Sequence, residues 1–177
     1  MNLRELLKYK QVVVQCHDNP DADAIASGWG VYLFFEKNNI PVRFIYGGKF
    51  ELQKSNLVLM KDTFNIPIEY VTELEEPELL VTVDCQYGEG NVQKFPAKNV
   101  ATIDHHRVSG QLPELNEVRS NMGSCSTIVW DVMLPEGCIS REDADLCMLA
   151  DTPEDVLKYM NEHLRRVGTP RPNNWLG

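Results

Sequence analysis

The chain has 177 residues, 43% of them apolar and 24% charged, with a formal net charge of −9. That balance fits one soluble globular domain, or one with a small appendage, and no apolar run approaches the ~20 residues of a membrane span. The negative charge disfavours capture of long nucleic acid, but it admits a small anionic substrate if metal cations supply local positive charge.

The opening MNLRELLKYKQ has Glu5 and Lys8 among its apolar residues, unlike a signal peptide, so the expected compartment is the cytoplasm. QVVVQC at 11–16 reads as a buried strand, with three β-branched residues in six. Residues 24–37 read as a helix, with Ile25, Trp29 and Leu33 on one face. Residues 42–46 form a second expected strand, 52–64 a helix, and 68–71 a short strand. Residues 79–83 and 100–103 are further apolar strands, and 124–134 is helical. Ser140 with Asp143 resembles a capping box, and a last helix starts near Pro153. The tail at 168–177, rich in proline, is expected to be irregular. Strands alternating with helices predict an α/β fold: a mostly parallel sheet with helices on both faces, Rossmann-like, over residues 1–167.

In such a sheet ligands bind outside the carboxyl ends of the strands. His17, Asp21 and Asp23 follow the first strand, Asp84 follows Val83, and Asp104, His105 and His106 follow Ile103. Three strands thus deliver carboxylates and imidazoles to one edge. Carboxylates gathered there repel one another, and burial raises the cost. A pair of divalent cations resolves the conflict. Oxygen and imidazole donors without cysteine suit Mn²⁺ or Mg²⁺. Five cysteines, at 16, 85, 125, 138 and 147, form no CxxC pair and read as buried free thiols. Asp18 and Asn19 read as shaping the turn before Pro20. Asp23 alone reads equally well as the cap of the following helix.

These residues resemble the DHH phosphoesterase superfamily, whose name is spelled here by Asp104-His105-His106. The stretch from His17 to Ser27, HDNPDADAIAS, looks like the first motif of that family. Val83-Asp84 looks like the second, Ile103 to His106 like the third, and Gly123 to Thr127 like the small-residue stretch that follows. The resemblance implies two manganese ions. It assigns His17 and Asp21 to one, Asp23 and His105 to the other, and Asp84 to both. It places His106 against a substrate phosphate, with Asp104 orienting the histidines. The implied chemistry is hydrolysis of a P–O bond by water activated between two cations. Relatives act on pyrophosphate, polyphosphate, phosphoadenosine phosphate, short oligonucleotides and cyclic dinucleotides, so the expected partner is a small phosphorylated compound, nucleotide or short oligonucleotide.

Ser124, Ser126 and the amides that open their helix either hold a phosphate oxygen or pack closely on the sheet. Arg107 either steers substrate or is a solvated loop residue. The fourth family motif supplies another aspartate. Asp151 is its best match here, with Asp143 and Asp145 weaker; Thr152-Pro153 reads alternatively as a helix start that leaves Asp151 outside. The family's second, substrate-binding domain has no counterpart in this sequence. Its absence predicts an open cleft and uncovered apolar surface that promotes a homo-oligomer. Two readings follow: a Mn²⁺-dependent phosphoesterase, or a metal-binding domain without useful catalysis. A nucleotide-binding domain lacking hydrolysis is weakest, since no GxGxxG or P-loop is present.

Overall fold

The computed structural model of the chain describes residues 1–139 and 152–167. The chain divides into two compact units, Met1–Cys138 and Ile139–Gly177.

Among the described residues, the first unit is built on six strands: β1 Val12–Cys16, β2 Val42–Tyr46, β3 Ile68–Tyr70, β4 Leu79–Val83, β5 Val100–Asp104 and β6 Leu115–Val118. They pair in parallel throughout, in the order β3-β2-β1-β4-β5-β6. Every residue of β1 and β4 is buried, which is why these strands read as unbroken apolar runs rather than alternating ones. Two of the polar residues carried into the centre, Thr82 and Thr102, are register partners and share a 2.8 Å hydroxyl bond.

Helices α1 Ala22–Lys37, α2 Ser55–Phe64 and α3 Cys125–Met133 belong to the same unit, with 3₁₀ turns at Leu3–Lys8 and Leu134–Glu136. Helix α1 lies against β1 and β2 and packs on α3. Its contact with the sheet is close at Gly28, where an added Cβ would stand 2.2 Å from the ring of fully buried Phe44. The opposite face carries Val13, Ile45 and Leu80. There Phe95, with Tyr87 and Ala97 from the long β4–β5 connection and Val71 and Leu74 after β3, packs against them.

Two elements go beyond the sequence expectation. β6 is an edge strand, half-buried at all four positions, so LNEV carries no apolar run. The first 3₁₀ turn buries only Leu3 and Leu6, too few residues for a periodic signal. Helix α1 starts two residues earlier than expected because Asp21, not Asp23, is its cap: the Asp21 side chain accepts from the Ala24 amide at 3.0 Å.

The second unit contains the described helix α4, Pro153–Val167. The Asp155 amide donates to Thr152 Oγ1 at 3.2 Å, so the Thr152-Pro153 helix start holds. The helix expected from Ser140 and Asp143, the ligand candidates Asp143, Asp145 and Asp151, and the 168–177 tail lie outside the described residues. No described helix is long and apolar enough to cross a membrane.

The strand order reverses between β1 and β4. In open parallel sheets a crevice forms at the carboxyl ends of such a pair. The close approach at Gly28 supplies a test of the packing that supports it. Gly28→Ala should destabilise the fold by about 1–3 kcal/mol through overpacking. Phe44→Leu in the same chain should recover part of that loss. Urea denaturation of the single and double variants checks both.

Candidate metal centre

The crevice at the carboxyl ends of β1, β4 and β5 is a cavity of about 690 Å³. Its lining includes His17, Asp21, Asp23, Asp84, His105 and His106, so the three sequence clusters meet in one place.

Asp84 is the centre of the arrangement. It follows β4 with φ +57, the left-handed conformation, which aspartate tolerates better than most residues at a cost of about 1–2 kcal/mol. Its amide donates to the Ile103 carbonyl at 3.0 Å, which ties the turn to β5. The side chain is 3% exposed. One oxygen, Oδ1, is buried with no hydrogen-bond partner among the described residues.

The imidazoles around it are oriented by carbonyls. His105 Nδ1 faces the Met122 carbonyl at 3.2 Å, and His17 Nδ1 faces the Asp18 carbonyl at 2.8 Å. A carbonyl only accepts, so Nδ1 is the donor in each of these bonds and Nε2 is the nitrogen turned inward. His105 Nε2 lies 3.3 Å from Asp84 Oδ1, and His17 Nε2 lies 3.6 Å from Asp84 Oδ2. An imidazole nitrogen and a carboxylate oxygen at these distances are held together by a positive charge, carried by a ring proton or by a cation between them. Asp21 Oδ1 is 4.0 Å from His17 Nε2, and Asp23 Oδ2 is 3.8 Å from His105 Nε2. Two groups could therefore hold a cation, His17–Asp21–Asp84 and Asp84–His105–His106, and they share Asp84. In the second, Asp23 also stands beside His105, while His106 Nδ1 is already committed to Asp104 at 2.8 Å. Hard oxygens with imidazole nitrogens, around an unpartnered buried oxygen, fit a hard or borderline divalent ion.

Asp104 is fully buried. Its Oδ1 accepts from His106 Nδ1 at 2.8 Å and from the His105 amide at 2.9 Å, so it fixes the His106 ring and the His105 backbone. Burial lowers the His106 pKa, but the bond to Asp104 and the charges of Asp104, Asp84 and Asp23 outweigh it and hold His106 above its ordinary range. Burial raises the Cys16 and Cys85 thiols well above theirs, so neither offers a thiolate.

The amides of Cys125 and Ser126, at the start of α3, bind the Asp23 carboxylate at 2.8 and 2.9 Å. The helix N-terminus still meets an anion, but one supplied by the chain. Ser124 caps α3, its Oγ accepting from the Thr127 amide at 3.3 Å, and Ser126 Oγ bonds to Ser124 Oγ at 3.2 Å. Ser124 and Arg107 still line the cavity. Asp18 Oδ1 accepts from the Gln93 amide at 3.1 Å, which ties the β1–α1 loop to the β4–β5 connection. Gln86 and Asn91 line the cavity without having been singled out in the sequence. A glutamine or asparagine in a polar loop carries no periodic or motif signal. Only the proximity of Gln86 to Asp84 in the chain pointed there.

The N-terminal domain of the DHH family matches residues 11–151. The chain belongs to the DHH family. Comparison with curated proteins finds no match. Among solved structures, the chain is similar to an exopolyphosphatase-related protein from Bacteroides fragilis, at 17% identity and a TM-score of 0.56. The likeness covers 95% of this chain and 57% of that one, so the chain spans little more than half of its neighbour's length. The neighbour supports the α/β fold, and the family rests on the match over residues 11–151.

Burial, then the charge of Asp23, pushes Asp84 in the metal-free chain up to about 6 from an ordinary 3.8. A pKa raised by folding favours the fold fully below pH 3.8, and that contribution is lost as pH rises through about 6. For Asp84 the loss is about 1–3 kcal/mol, the lower end allowing for screening at the open cavity. Asp84→Asn should abolish it, since asparagine also tolerates a left-handed backbone. The variant should therefore gain stability over the metal-free parent at pH 8 and match it near pH 4. Chemical denaturation in chelator at both pH values measures this.

Proposed function

We propose that this DHH domain is a metal-dependent phosphoesterase that hydrolyses a P–O bond in a small phosphorylated compound, nucleotide or short oligonucleotide. The observation that carries the reading is the buried Asp84 carboxylate, with Oδ1 unpartnered, whose two oxygens face the Nε2 atoms of His105 at 3.3 Å and His17 at 3.6 Å. Family membership over residues 11–151 supports it.

In this reading His17 and Asp21 hold one cation, Asp23 and His105 the other, and Asp84 serves both. Mn²⁺ suits the mixed oxygen and imidazole donors best, and Mg²⁺ is the alternative. Bound divalent cations would supply positive charge for the phosphate oxygens and lower the pKa of water at the site. The chain's own residues do the remaining work. Asp104 keeps the His106 ring in one orientation through Nδ1, leaving Nε2 to face the cavity. With its pKa held above the ordinary range, His106 is a hydrogen-bond donor for a non-bridging phosphate oxygen. Arg107, at the cavity wall, adds a second positive group for an anionic substrate. The Asp23 carboxylate is fixed by two α3 amides, so it cannot swing away when charge in the site changes.

A second reading, a cation-holding domain without useful turnover, is favoured by exposure. The side chains of Asp21 and His106 are 59% and 58% exposed, so water is poorly excluded.

One assay separates the two. Product release from bis-p-nitrophenyl phosphate, pyrophosphate, 3′-phosphoadenosine phosphate and a dinucleotide is followed with and without Mn²⁺. The phosphoesterase reading expects Mn²⁺-dependent turnover of at least one. Removing a group that merely supports a metal ligand commonly costs 10–100-fold, so Asp84→Ala should lose at least about 100-fold. Bound Mn²⁺ with no turnover on any substrate favours the second reading. Undiminished activity in Asp84→Ala removes Asp84 from the site.

A further inference from the structure

Gln86 stands two residues beyond Asp84, at the wall of the cavity, and is 6% exposed. Its amide uses both of its ends. Nε2 donates to Asp104 Oδ2 at 2.9 Å and to the Arg107 carbonyl at 3.1 Å. Oε1 accepts from the Ser109 amide at 3.0 Å and from Ser109 Oγ at 3.3 Å. Two N–H groups and two lone pairs are all that a glutamine side chain has. The amide orientation is also determined: a carboxylate and a carbonyl need the donor end, and a backbone N–H needs the acceptor end.

We propose that Gln86 is a positioning residue for this site, holding Asp104 and the 107–109 segment so that the His106 ring and Arg107 keep a fixed place at the phosphate side of the cavity. The proposal deepens the phosphoesterase reading and rests on it for the group that His106 meets.

The physical argument runs through Asp104. This carboxylate is fully buried, and its Oδ1 serves His106 Nδ1 and the His105 amide. Gln86 supplies the donor to the other oxygen. Without it, a buried carboxylate oxygen loses its partner, which favours rotation of the group away from the geometry that holds His106. The same amide clamps the Arg107 carbonyl and the Ser109 amide, so the loop after β5 is tied to the loop after β4. His17 is outside this chain of bonds, because its Nδ1 is fixed by the Asp18 carbonyl. His105 is oriented at its ring by the Met122 carbonyl. Loss of Gln86 therefore acts chiefly on His106, whose ring is held by Asp104, while the rings of His17 and His105 keep their own carbonyl partners.

The test uses the full chain labelled with ¹⁵N-histidine, at one fixed pH, with chelator and again with Mn²⁺. Gln86→Met keeps the length and removes every hydrogen bond. Gln86→Glu keeps the shape and the acceptor for Ser109 but places a carboxylate, not a donor, against Asp104. Both variants should shift the ring nitrogens of His106 from the Nδ1–H form toward a mixture of tautomers, with His17 and His105 signals unmoved. With Mn²⁺ and a substrate that the parent turns over, kcat should fall about 10–100-fold while KM and Mn²⁺ affinity stay within about threefold. His106 signals that match the parent in both variants overturn the proposal. So does a shift of all three histidines together, which marks a merely structural role. If Gln86→Met does not fold, Gln86→Glu decides on the same signals. If the parent turns over no phosphate ester, the phosphoesterase reading fails, and the histidine signals still decide the role of Gln86.

Discussion

At the carboxyl end of β4, a carboxylate oxygen of Asp84 is buried without a hydrogen-bond donor among the described residues, and imidazole Nε2 atoms face both oxygens of the group. The arrangement calls for positive charge at its centre. Folding brings the repulsion into being, because it removes Asp84 from water and draws Asp21 and Asp23 toward it. The fold tolerates this in the metal-free state by favouring a proton on Asp84. Divalent cations would answer the same need at neutral pH without a proton.

The rest of the fold is arranged so that this repulsion cannot relax. The strand order reverses between β1 and β4, which opens a crevice where His17 and Asp84 leave their strands. The left-handed turn at Asp84 is tied to β5 through the Ile103 carbonyl. Asp21 is held as the cap of α1, and Asp23 is held by the first amides of α3. Each carboxylate thus uses a structural bond to fix its direction and retains lone pairs for the cavity. Helix ends, which need anions, and a cation centre, which needs carboxylates, are served by the same two residues.

The connection after β4 has a comparable double use. Phe95, Tyr87 and Ala97 cover the apolar face of Val13, Ile45 and Leu80, while Gln86 and Asn91 of the same connection stand at the cavity. Packing on one side of this loop sets polar geometry on the other. That coupling gives the loop little freedom to move independently of the core.

The sequence by itself determined the parallel α/β class, the strands that end in acid and imidazole, and the identity of the converging residues. These were legible because buried parallel strands read as unbroken apolar runs, and because chemistry at their ends sits at fixed places in the chain. Which cap belongs to which helix was not legible. Asp21 and Asp23 are both two-oxygen acceptors near a helix start, and only tertiary packing shows that Asp23 reaches α3 instead of capping α1. The half-buried edge strand β6 left no pattern for the same kind of reason, since its place depends on a partner strand rather than on its own composition. Gln86 is the plainest case: its four hydrogen bonds join segments distant in the chain, and a side chain whose role lies in long-range contacts leaves no periodic trace. Local pattern named the donors; three-dimensional contact decided what each one holds.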